Sequence, residues 1–412
     1  EQPVCLCGAQ SSRVQCSVSA ADMKAFVVVA LLLLHQVMGD TQLVTQASNQ
    51  FANDLYQKLA QKPDNVLVCP ISLHVALTLL LQGAGGTTAT ELSSVLKLGT
   101  ASNADVKEAY KTVLTGIQDD VLKIANKLYP AVGYQLSPDY LSVAREYFLS
   151  DVQGLNYSDP NGAVKTINDF VAEKTNNKIH DLISADTITD LTRLIIVNAV
   201  HFQATWKSTF TTAYEDYFKV TPDKKVKTKL MTQTGYFDYK EDPALEAKVL
   251  KMDYDKEGYS MVFILPNKED GLPAVEAKLA ETSLENILKD LKETRVEVTI
   301  PKFKVEQTLE LKEILEKMGL KEVFSSRANL HGVANGDNLY VSDVIQKTFI
   351  NVHENGTEAA AATGLGISLT SLDESLRYFY ARSPFHFVLL NTSSKFILFR
   401  GRLVSIPENQ ML

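Results

Sequence analysis

Residues 354–363 read Glu-Asn-Gly-Thr-Glu-Ala-Ala-Ala-Ala-Thr, and the fold turns on how this decapeptide is read. From Ala359 to Ala362 no side chain exceeds a methyl. Local propensity favours a short helix, because alanine is the best helix former and Asn355 or Thr357 could cap it. A second reading competes. The segment has no bulky group to anchor it and none to obstruct its entry between other strands. It lies between a β-rich run, Tyr340 to Val352, and a C-terminal pair of strand-like runs. The rest of the chain has to decide.

Asn49 to Leu59 and Leu73 to Leu81 are apolar at helical spacing, the second capped by Ser72 and stopped at Gly83. Val106 to Ile117 is a third predicted helix. Leu194 to Phe202 is dense in apolar and β-branched residues, as in a strand buried on both faces. Tyr259 to Leu265, ended by Pro266, is another. Leu311, Ile314, Leu315 and Met318 form one helical stripe closed by Gly319. Helices crowd the first half and strands dominate from Leu194 onward, which predicts an α+β class.

Met23-Lys24 followed by the apolar run Ala25 to Leu34, with small or apolar residues at Val37-Met38-Gly39, reads as a secretory signal peptide over 23–39. The apolar run is too short for a membrane span. Residues 1–22 carry Cys5, Cys7 and Cys16 without clear periodicity, and read as a non-native or upstream-translated extension. Removing the first 39 of 412 residues leaves 373. No linker, charge block or repeat divides these, so 40–412 is expected to be one large domain of a secreted, extracellular protein.

The two acids and two bases of the leader cancel, so the mature chain keeps the net charge of −8. That balance argues against a nucleic-acid binder. Lys224, Lys225, Lys227 and Lys229 are the one tight basic cluster, read as a solvated strand edge rather than a polyanion site. Cys69 is the single cysteine of the mature chain, read as a small buried thiol. The sequons at Asn156, Asn355 and Asn391 each mark a candidate surface glycan.

A search for catalytic motifs finds no Gly-x-Ser-x-Gly, His-Glu-x-x-His or P-loop, and in the mature chain no Cys-x-x-Cys. Gly364-Leu-Gly366 lacks the third glycine of a dinucleotide loop. The seven histidines show no metal-ligand spacing, and His353 beside Glu354 reads as a surface residue at a strand end. An enzyme is not expected, and neither a metal nor a cofactor.

Six segments settle the decapeptide. They are Asn65-Val-Leu-Val-Cys-Pro-Ile-Ser-Leu, Gly83-Ala-Gly-Gly-Thr-Thr, Asn198 to Trp206, Pro301-Lys-Phe-Lys with Leu311 to Phe324, Pro384-Phe-His-Phe, and Phe399-Arg-Gly-Arg. In order and spacing they resemble the serpins, the serine-protease-inhibitor superfamily, from about Ala47 to Pro407. The resemblance implies about nine helices around three β-sheets, with an exposed reactive-centre loop. It makes residues 354–363 the loop's proximal hinge: Glu354, Gly356, Thr357, Glu358, Ala359, Ala360, Ala361, Ala362 and Thr363. It implies a suicide inhibitor. A target protease cuts the loop and forms an acyl-enzyme, and the cut loop inserts as a new strand into the central sheet.

The residues suit that mechanism. Thr357, Ala359, Ala361 and Thr363 would line one face of an inserted strand, and Glu358 would face out. Gly356 allows a sharp bend. Counting sixteen positions from Glu354, the resemblance puts the cut at Thr370–Ser371. The neighbouring register Leu369–Thr370 would suit a chymotrypsin- or elastase-like pocket, and Arg377 a trypsin-like one. The first two types are favoured as partners. The resemblance makes Ser72, Asn198 and Trp206 shutter or breach residues of the central sheet, with Asn198 and Trp206 on one strand. The expected form is a monomer that does not bind nucleic acid or membrane. Several positions depart from the family pattern. Gln346 stands where many members carry a shutter histidine, Phe170 replaces a frequent Trp, Gln203-Ala204 replace Lys-Gly, and Arg382 and His386 alter the C-terminal signature. The alternative is a non-inhibitory carrier or chaperone, which the alanine run opposes.

Overall fold

A computed structural model describes residues 41–117, 120–336, 338–357 and 375–407. Within them nine helices surround three sheets. The expected α+β class holds, with the helices and sheets in the numbers that the resemblance implies.

The central sheet has seven strands. In spatial order these are Asp151–Val152, Leu122–Pro130, Leu194–Phe202, Asp343–His353, Gly356–Thr357 and Ala204–Thr205, with Phe303–Glu310 paired to the far side of Asp343–His353. Leu194–Phe202 alternates as its sequence predicts. Leu194, Ile196, Val200 and Phe202 join the main core, while Ile195, Val197 and Ala199 pack on the other face with Ile167 and Val171 of the helix Pro160–Lys174. A nine-stranded sheet carries the long strand Lys224–Asp242, which pairs with Thr212–Thr221 over its first half, with Lys292–Pro301 from Leu230 to Tyr239, and with Ala247–Asp253 at its end. The edge strand Arg377–Tyr380 runs parallel to Lys292–Pro301. The third sheet is the short pair Gln135–Leu136 and Ala334–Asn335.

Between the large sheets runs the helix Pro70–Gln82, buried at every residue from Pro70 to Leu81. Its start differs from the expected cap at Ser72. Pro70, with φ preset and no N–H to satisfy, begins the helix one residue after Cys69. Ser72 is therefore inside the helix, which frees its hydroxyl for the sheet. Gly83 does end the helix, but for a packing reason. A Cβ there would stand 2.5 Å from the Val333 side chain and 2.8 Å from its backbone nitrogen. The stripe ending at Met318 is the helix Lys312–Met318, closed by Gly319 in a left-handed conformation (φ 114°). Among the described residues no helix is long and apolar enough to cross a membrane.

Candidate functional site: the gate of the central sheet

Asn126, Asn198 and Gln346 are register partners across three adjacent strands, so they form one polar row. The row faces the start of the helix Pro70–Gln82. Ser72 Oγ lies 2.7 Å from Asn198 Oδ1 and 3.1 Å from the Cys69 carbonyl. Gln346 Nε2 donates to Asn198 Oδ1 at 2.6 Å and to the Cys69 carbonyl at 2.9 Å, while its Oε1 accepts the Cys69 N–H at 2.9 Å. Asn198 Nδ2 donates to Asn126 Oδ1, and Asn126 Nδ2 to the Ser72 carbonyl at 3.0 Å. Every member is buried. A fully satisfied polar network of this kind fixes one arrangement, because any parting of the strands strands its donors. Here Asp343–Phe349 pairs directly with Ile195–His201, so the sheet is shut at the row. Burial pushes the Cys69 thiol up to about 12, against the hydrogen bonds from Ser72, and the thiol is inert at neutral pH.

Higher up, Asp343–His353 and Ala204–Thr205, the strand that follows Leu194–Phe202, stand apart. Gly356 and Thr357 lie between them, with Thr357 opposite Val352 on one side and Ala204 on the other. Thr357 is fully buried, and its hydroxyl shares a 2.7 Å hydrogen bond with Tyr254. Gly356 has φ 155°, and a Cβ there would come within 2.1 Å of the Ala204 carbonyl, so no other residue fits without moving backbone. Trp206 clamps the turn before it. Its backbone N–H donates to the Asn355 carbonyl (2.9 Å), its indole N–H to the His353 carbonyl (3.1 Å), and its ring stacks on Tyr254 at 4.3 Å. The Phe210 N–H donates to the Glu354 carbonyl at 2.9 Å. Lys302 sits 3.1 Å from the Glu354 carboxylate. Partial burial opposes ionisation of that carboxyl, but its own N–H and Lys302 hold it below the usual range.

Of the residues singled out in the sequence, Ser72 and Asn198 meet in the buried row, and Trp206, Glu354, Gly356 and Thr357 meet at the upper opening. The two groups are separate stations along the central sheet. Glu358, Ala359, Ala360, Ala361, Ala362, Thr363, Leu369, Thr370 and Ser371 lie outside the described residues, as does the leader over 1–39. His353 ends its strand as expected, but it is not a surface group. Its side chain is 12% exposed and its Nδ1 accepts the Asn355 N–H. Asn156 is exposed and Asn355 half-buried. Asn391 departs from the surface position expected of a sequon. It is 5% exposed, and its Oδ1 accepts from the Ser394 backbone and hydroxyl. The lysine cluster lies on exposed strand positions, where Lys227 pairs with Glu215 at 2.6 Å. Among the described residues no cluster of His, Cys, Asp and Glu could hold a metal.

Sequence reading missed Asn126, Tyr254 and Lys302. Asn126 had a signal, since it interrupts the inward stripe Leu122, Ile124, Leu128 with a polar group. Tyr254 had none, because its neighbours alternate like any strand end.

A buried polar row below and a strand start at Gly356–Thr357 above occupy the same region of the central sheet. The comparisons agree on the class. The family model described as serpin (serine protease inhibitor) matches residues 46–406, and the chain belongs to the serpin family. It is 36% identical over 378 residues to an uncharacterized serpin-like protein of Thermococcus kodakarensis, covering 89% of this chain and 87% of that one. It is 35% identical over 364 residues to intracellular coagulation inhibitor 2 of Tachypleus tridentatus, covering 86% and 89%. The crystal structure of Serpin48, described as a highly specific serpin of the insect Tenebrio molitor, superposes with a TM-score of 0.82 at 31% identity, covering 88% of this chain and 98% of that one.

Proposed function

We propose that this protein is a secreted inhibitor of an extracellular serine protease, acting as a suicide substrate from a mature chain over 40–412. The protease serine attacks the Thr370 carbonyl, the Ser371 amine leaves, and an ester joins enzyme and loop before water can enter. The freed loop then continues the strand that Gly356 and Thr357 have started. The observation that carries this reading is the buried Thr357, already paired to the flanking strands on both sides. The residues that follow it are Glu358 and four alanines, none too large to take the same path. Leu369–Thr370 is the alternative bond. The run Ile367-Ser-Leu-Thr-Ser-Leu372 favours chymotrypsin- or elastase-like enzymes over trypsin-like ones.

The test mixes the protein with a panel of the three protease types and looks for a complex stable in SDS. Mass analysis of the small released fragment should give an N-terminus at Ser371 or Thr370. An N-terminus at Tyr378 points to a trypsin-like target. Complete loop cleavage with no stable complex from any enzyme overturns the inhibitory reading in favour of a carrier or chaperone.

A further inference from the structure

Asparagine followed by glycine occurs three times in the chain, at Asn161–Gly162, Asn335–Gly336 and Asn355–Gly356. Such a pair can react with itself in water. The glycine has no Cβ, so its backbone nitrogen can swing onto the side-chain carbonyl carbon of the asparagine. The attack needs a backbone free to turn and a nitrogen free of hydrogen bonds, so local order decides the rate.

Two of the pairs are held. Asn161 and Gly162 lie in the first turn of the helix Pro160–Lys174, and the Gly162 N–H donates to Asp159 Oδ1 at 3.0 Å. Asn355 is tied at both backbone groups. Its N–H donates to His353 Nδ1 at 3.3 Å, and its carbonyl accepts the Trp206 N–H at 2.9 Å. Gly356 is buried and paired between His353 and Thr205.

The third pair is open. Asn335 ends the two-residue strand Ala334–Asn335, and both Asn335 and Gly336 are exposed. Among the described residues neither the Gly336 N–H nor the Asn335 side chain has a hydrogen-bond partner. The fold nevertheless requires a glycine at 336. Its φ is 127°, and a Cβ there would stand 3.2 Å from the Tyr134 ring. The turn thus keeps the reactive pair and leaves it wet.

We infer that Asn335 is a self-modification site at which the folded protein ages. The Gly336 nitrogen bonds to Asn335 Cγ, the Cγ–Nδ2 bond breaks, and ammonia leaves with the proton that the Gly336 nitrogen gives up. Water then opens the cyclic imide. Breaking the bond from Cγ to the Gly336 nitrogen leaves aspartate. Breaking the bond from the backbone carbonyl to that nitrogen leaves isoaspartate, with the main chain rerouted through Cβ and Cγ. Both products add a negative charge, and the second also shifts the register against Gln135. The neighbourhood is structural: Val333 packs on Gly83 at the end of the central helix, and its carbonyl accepts the Ser137 N–H at 3.0 Å. The inference is independent of protease inhibition.

The test follows the three asparagines by peptide mass mapping. The full chain, made without glycans, is incubated in warm, mildly alkaline buffer, folded or unfolded in urea. In the folded protein Asn335 should convert to acid about tenfold or more faster than Asn161 and Asn355, as a modest cost of local opening at the held pairs requires. In urea the three rates should converge. Asn335→Gln, a change at an exposed position, should block conversion there, and its melting midpoint should outlast that of the parent on ageing. Equal rates at the three pairs in the folded protein overturn the assignment. So does the same order in urea, which would make local sequence rather than the fold its cause. Equal loss of midpoint by aged parent and aged Asn335→Gln overturns the role of this site in ageing.

Discussion

Replacing Gln346 by leucine tests the lock at its centre. The side chains are similar in size, so the change removes polarity more than volume. In the native network the Gln346 amide serves the Cys69 N–H, the Cys69 carbonyl and Asn198 Oδ1. After substitution Asn198 Oδ1 keeps the Ser72 hydroxyl, which has one proton to give. The Cys69 carbonyl then loses a full donor, and the Cys69 N–H loses its acceptor in a fully buried position. One orphaned donor and one half-satisfied acceptor cost about 2–4 kcal/mol. Burying leucine in place of an amide returns about 1 kcal/mol. The net loss is about 1–3 kcal/mol, which lowers the melting midpoint of a chain this long by about 1–4 °C. The assay is a pair of melts at one scan rate, since serpin unfolding is read as a rate as much as an equilibrium. A looser lock should also hasten spontaneous loss of inhibitory activity on warm incubation. A midpoint within 1 °C of the parent, or above it, refutes the view that this row holds the sheet shut (the shift expected for even ~1 kcal/mol is larger).

Three further outcomes follow from the same reasoning. Ala361→Arg should turn inhibitor into substrate, because a charge would enter the sheet core at a cost of several kcal/mol if unpaired, roughly as for any buried ion; undiminished SDS-stable complex sinks the inserting-strand model. Cleavage between Gly364 and Leu376 should raise the melting midpoint, since the freed segment can pair its backbone groups in the sheet, whereas an ordinary nicked protein shows no gain. Acid should destabilise the fold from near neutrality downward. Burial lowers both His74 and His386 to about 4, so the unfolded chain gains protons as pH falls through about 6.5 while the folded one does not until about 4. That window removes up to about 3 kcal/mol per histidine. The urea midpoint should fall between pH 7 and pH 5, and His74→Asn should remove about half of the histidine-linked part; a flat midpoint contradicts the assignment of buried neutral rings.

The sequence alone carried the strand Leu194–Phe202, the helix closed by Gly319 and the α+β class, because these depend on periodicity and on residues with special backbone freedom. It also marked Gly356 and Thr357, since a glycine followed by small residues is visible without coordinates. What it could not decide was which polar groups share a site. Asn126, Asn198 and Gln346 are far apart along the chain, and only strand register sets them side by side. Ser72 reads locally as a helix cap, yet Pro70 starts the helix earlier and turns the serine toward the sheet. Tyr254 and Lys302 meet the hinge only because three strands converge there. Asn391 satisfies the sequon rule, but its strand end is packed inward. Periodicity is a property of neighbours in sequence and survives translation into structure. Pairing across a sheet is a property of neighbours in space, and it is fixed only when the whole chain has folded.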